Sequence, residues 1–159
     1  MFKKIRNFAA LALLVVLPLI AFADKGPYYE VLLLNLTFRT QTATKPAAIA
    51  IILCTNVGTD ATPCTEVTNA NSYARVTVTQ LDANWTAPSG DPSSIGNVNA
   101  ITFPTATGSW GTLMGFEVRD SATHGAGNRL YWGSLTSNPA ITTGMTPSFA
   151  AGQLTFSED

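Results

Sequence analysis

From Ala47 to the C-terminus the apolar residues arrive in short runs closed off by Gly, Pro, Asn, Asp and Ser, a rhythm that admits strands and almost no helix. Ala47 to Cys54 (AAIAIILC) is continuously apolar between Pro46 and the turn residues Asn56, Gly58 and Asp60, which reads as a strand buried on both faces. In Tyr73 to Thr79 (YARVTVT), Ala74, Val76 and Val78 alternate with Tyr73, Arg75, Thr77 and Thr79, so one face meets the core. Ala87 to Gly96, rich in Pro, Gly and Ser, reads as a loop, and Ala100 to Phe103 as a short strand stopped by Pro104. Leu113 to Asp120 and Leu130 to Leu135 flank the Gly-rich turn His124 to Asn128 and read as a hairpin. Shorter candidates follow at Ala140 to Thr143, Ser148 to Ala150 and Gln153 to Phe156. About six to eight short strands make an all-β protein, an antiparallel β-sandwich of jelly-roll or Ig-like type spanning residues 47–159.

Two segments precede that domain. Tyr28 to Phe38 (YYEVLLLNLTF) lacks a clean period, and Pro27 at its first turn favours a short helix, with a linker completing residues 24–46. Lys3, Lys4 and Arg6 stand before an apolar run from Phe8 to Phe22 that ends in Ala21-Phe22-Ala23, the pattern of an export signal occupying residues 1–23 and cleaved after Ala23. A retained anchor is the weaker reading, because Pro18 interrupts the run and it falls short of the roughly 20 residues that span a bilayer.

Removing residues 1–23 takes away three of nine basic residues and none of ten acidic ones, leaving a net charge of −4. The remaining cations, Lys25, Arg39, Lys45, Arg75, Arg119 and Arg129, are scattered singly, which argues against nucleic-acid binding. Nor do groups suited to catalysis converge. The one histidine, His124, falls in a Gly-rich turn with no nucleophile motif beside it. Glu117 and Asp120 are an odd number of residues apart on a strand and so point to opposite faces, while Asp82 and Asp91 belong to turns, where Asp binds local backbone. A calcium site on Asp82 and Asn84, or on Asp91, lacks regular oxygen spacing. The expectation is a non-enzymatic protein with no cofactor and no metal.

Two features suit assembly or export. Trp85, Trp110 and Trp132, at strand margins beside loops, and Tyr131, inside a strand, are candidate interface anchors with large aromatic surfaces. Cys54 and Cys64 close a turn-rich loop and form a candidate disulfide in an exported chain. Two cysteines and one distant histidine do not make a zinc site.

A set of segments runs in order from about Leu33 to Phe156. In the first half they are Leu36 to Arg39, Pro46-Ala47, Cys54-Thr55, Thr65 to Val67 and Tyr73 to Val76. In the second half they are Ala100 to Pro104, Ser109 to Gly111, Phe116 to Thr123, Leu130 to Leu135 and Ser148 to Leu154. Together they resemble a family of small tailed-bacteriophage proteins known as tail-fibre, minor tail or head-decoration components. The resemblance implies a virion structural protein, in the head decoration or the tail and its fibres, that binds other virion proteins and copies of itself. It carries over no catalytic residues. The signal-like segment and Cys64 depart from the family pattern and keep open an alternative: an exported periplasmic or cell-surface β-sandwich binding module, touching the membrane only transiently through its N-terminal segment.

Overall fold

The computed structural model describes residues 16–19, 21–46 and 48–158. Along them run twelve strands and one helix: β1 (Val16–Pro18), β2 (Ala21–Lys25), α1 (Pro27–Phe38), β3 (Ala48–Cys54), β4 (Val76–Thr79), β5 (Ser93–Gly96), β6 (Ile101–Thr102), β7 (Gly111–Thr112), β8 (Gly115–Arg119), β9 (Arg129–Ser134), β10 (Ala140–Ile141), β11 (Thr146–Phe149) and β12 (Leu154–Glu158). The protein is all-β with one short helix, as the strand rhythm predicts. Seven strands form the main sheet in the order β4-β3-β8-β9-β2-β12-β5; β1-β11-β6 and β10-β7 form two smaller sheets.

Alternation along β3 and β8 gives the main sheet two working faces. Ile51 and Leu53 pair with Val118 and Phe116 and enter the principal core. There Phe116 meets Phe149 of β11 with ring centroids 5.8 Å apart, and Phe149 meets Phe103 at 6.4 Å. Burying each such ring contributes roughly 1.5–3 kcal/mol, so this contact between sheets is what makes the layers a sandwich. On the other face Ile52, Cys54 and Glu117 are buried too. The apolar run of β3 therefore needs no alternation, because both of its sides are covered.

β8 and β9 form the hairpin expected around the Gly-rich turn, in which Gly127 takes a φ of +87° that a side chain would strain. Gly152, at φ +73°, makes the turn between β11 and β12. The 87–96 stretch is not all loop. Reciprocal hydrogen bonds between Ser89 and Ser94 close a turn, and Ser93–Gly96 then lies along β12. As an edge strand it has one neighbour to satisfy, so a Ser-rich sequence suffices once Ile95 packs against the core.

The main sheet is mixed where antiparallel pairing was expected throughout. β2 runs parallel to β12, and β1 runs parallel to β11; all other ladders are antiparallel. Most of the signal-like segment lies outside the described residues, as does Ala47. The part that is described is built into the main sheet through β2 and into the β1-β11-β6 sheet through β1, with Leu19 and Ala21 buried in the core.

Candidate interaction surface

Helix α1 follows from Pro27 at its first turn and Glu30 beside the N-terminal amides. It ends where the Arg39 N–H donates back to the Asn35 carbonyl. Its apolar residues encircle it, so they cannot all face the sheet. Tyr29, Leu32 and Leu33 turn inward, half-buried; Val31, Leu34 and Phe38 are 58%, 59% and 78% exposed. A helix apolar all round is normally covered on every side, and among the described residues nothing covers the outer side of this one.

Between α1 and the main sheet lies a cleft of about 830 Å³, lined among others by Leu32, Leu33, Ile49, Trp85, Tyr131 and Phe156. Its floor is aromatic: Tyr131 lies 5.0 Å from Phe156 and 5.3 Å from Tyr29, and Trp85 5.9 Å from Phe156, all between ring centroids. The Tyr131 hydroxyl donates to Glu158 Oε1 at 2.7 Å, and burial, then Glu158, pushes its pKa far up, keeping it protonated. Lys25 pairs with the same carboxylate.

The four candidate anchors thus separate. Trp85 and Tyr131 line the cleft. Trp132 points to the opposite face, its ring 5.3 Å from the Arg129 guanidinium carbon and its indole N–H donating to the Lys25 carbonyl at 3.2 Å. Trp110 is buried, edge-on to Tyr73 at 5.2 Å, and donates to the Asn71 carbonyl, so it packs the core.

Two buried ion clusters brace the loops. Glu117 accepts from Arg119 Nε at 2.8 Å and from the Cys64 backbone N–H at 2.7 Å, with Arg129 Nη1 3.6 Å away. Arg129 in turn donates to the carbonyls of Asp60 and Thr62. The carboxylate and its two guanidiniums therefore clamp the loop after β3 onto the β8–β9 hairpin. Within that loop Cys64 meets Cys54 sulfur to sulfur, Cα atoms 5.9 Å apart, a separation that a disulfide spans.

In the second cluster, Arg75 holds Glu66 in a two-pronged pair, Nε to Oε1 at 2.8 Å and Nη2 to Oε2 at 2.6 Å, and donates to the carbonyls of Ser121 and Ala126. The Gly125 N–H and His124 complete it: the N–H donates to Glu66, and the His124 ring sits 2.9 Å from the Val67 carbonyl. Burial alone would raise the Glu66 pKa; the Arg75 pair, the Gly125 N–H and His124 outweigh it and hold the carboxyl below its ordinary 4.5. A depressed folded pKa gives stability that is present above the unfolded value and lost as pH falls through the folded one. The urea midpoint should therefore fall as pH drops below the ordinary carboxyl value, and Glu66→Gln should flatten that fall, as urea titrations at each pH would show.

The remaining sequence candidates do not converge. Asp82 sits at the rim of the cleft, Asp91 on the exposed turn before β5, and Asp120 caps the hairpin turn by accepting from the Asn128 N–H and side chain. The surface offers apolar area and braced loops, which suit adhesion between proteins.

Residues 26–157 match a family model described as podophage GP4 fiber I protein gp80. No curated protein matches the chain.

Proposed function

Because this chain belongs to the podophage GP4 fibre I protein gp80 family, we propose that it is a structural component of a tailed phage's fibre apparatus, working by assembly with other virion proteins and its own copies. The observation that carries the reading beyond the family is α1, whose outer apolar side is left for another chain to cover. The aromatic cleft beside it gives a partner a shaped edge on which to register. Rigid loops braced by buried ion pairs suit a part that must keep its shape under load.

Purified virions, analysed by mass spectrometry and labelled with an antibody to this chain, should contain it at the fibres. Its absence from washed particles would overturn the proposal. Labelling on the head instead would replace the fibre assignment with decoration. The Cys54 and Cys64 contact favours the exported module as the second reading. That module would leave the cell as a chain beginning at Asp24, and intact mass distinguishes the two.

A further inference from the structure

We infer that α1 pairs with the α1 of a second copy of this chain, the two helices parallel about a two-fold axis, so that each covers the apolar side the other leaves open. This rests on the assembly reading above and names the partner and its orientation for the same surface. The seam is visible in the spacing. Pro27, Val31, Leu34 and Phe38 are all exposed, and at about 3.6 residues per turn their intervals of four, three and four set them in one narrow stripe. Tyr29, Leu32 and Leu33, which line the cleft, lie on the opposite side of the helix. A two-fold axis running along the stripe therefore sends the two sheets away from each other. Because α1 is already folded against its own sheet, pairing carries none of the nucleation cost that makes an isolated helix of this length marginal.

The residues along the seam select both partner and direction. An identical, parallel helix brings each residue of the stripe against its own copy, Val31 on Val31 and Leu34 on Leu34. A β-branched residue followed three positions later by leucine is the arrangement that favours two parallel helices over three or more. Charge selects the same arrangement. On one flank of the stripe stands Glu30, exposed and without an ion-pair partner among the described residues. On the other stands Asn35, whose side-chain oxygen accepts from Arg39 Nη1 at 3.3 Å and so holds the guanidinium on that flank. In a parallel pair each flank meets the opposite flank of the other helix, with Glu30 of each copy set against Asn35 and Arg39 of its mate. Two opposite-charge contacts form, related by the axis. An antiparallel pair would bring like flanks together, leaving Glu30 beside Thr37 and Arg39 without a carboxylate.

Sedimentation velocity of the full-length chain over a range of concentrations should show monomer in equilibrium with dimer. Full-length Glu30→Arg and Arg39→Glu each set like charges at both contacts, and each should weaken the dimer about five- to tenfold. An equimolar mixture of the two variants restores both contacts and should recover the unaltered affinity as a mixed dimer. Direction is read separately from Pro27→Cys, which leaves Val31, Leu34 and Phe38 in place. Its thiols face each other only in the parallel pair, and a short bifunctional maleimide should join them. A chain that stays monomeric at every concentration overturns the pairing, as do charge variants that gain nothing on mixing. Dimers in which the cysteines at position 27 stay unlinked overturn the parallel arrangement proposed here. Monomers in solution from a chain that is nonetheless found at the fibres of purified virions would remove self-pairing and leave the virion assignment standing. Dimers of a chain absent from virions would do the reverse.

Discussion

Glu117→Ala should lower the stability of the protein by about 3–5 kcal/mol, with the apolar core untouched. The side chain is fully buried, its partners Arg119 and Arg129 are 12% and 6% exposed, and alanine leaves both guanidiniums without their counter-charge. The Cys64 N–H loses its acceptor in the same step. For a chain of this size the change amounts to a fall of roughly 10 °C in the thermal midpoint, readable by calorimetry or circular dichroism. Glu117→Gln keeps an acceptor for Cys64 and should fall between the two. Measuring both with and without reductant separates the clamp from the sulfur contact. If Glu117 holds the loop, hydrogen exchange across residues 55–63 rises in the alanine variant even with Cys54 and Cys64 joined. An unchanged midpoint in Glu117→Ala would mean that the two arginines reach solvent.

The parts of this cluster that lie on one strand were legible in the sequence, and the parts that need two strands were not. On β8 the alternation that puts Glu117 and Asp120 on opposite faces also puts Glu117 and Arg119 on the same one. A search for paired carboxylates passes over that neighbour, although a spacing of two with opposite charge was the available signal. Arg129 was beyond reach, because a register shift between Val118 and Arg119 brings Arg119 opposite Arg129, and no single sequence encodes a shift. For the same reason α1 and the hairpin were readable from Pro27 and the Gly-rich turn, while the cleft was not. Its lining comes from α1, the β4–β5 connection, β9 and β12, elements brought together only by the long-range strand order.

The N-terminal segment shows a harder limit, and it sets up the second large effect. An apolar run bounded by positive charge satisfies the requirements of an export signal, and a buried strand asks for the same apolar residues, so composition does not choose between them. Their consequences differ. A full-length chain should be more stable than one beginning at Asp24 by about 3 kcal/mol or more, since Leu19 is wholly buried and removing a buried leucine side chain alone costs about 2–5 kcal/mol. The shorter chain keeps Asp24 and Lys25, which pair with β9, and loses all three residues that pair with β12. It should therefore bind an apolar dye and show fast amide exchange in Leu154 to Phe156, the strand whose parallel neighbour has gone. Against a total stability of about 5–15 kcal/mol for a domain, such a loss decides whether the shorter form is folded at body temperature. Equal denaturation midpoints for the two forms would show that β1 and β2 add nothing to the fold, and would free those residues to serve as a cleavable signal.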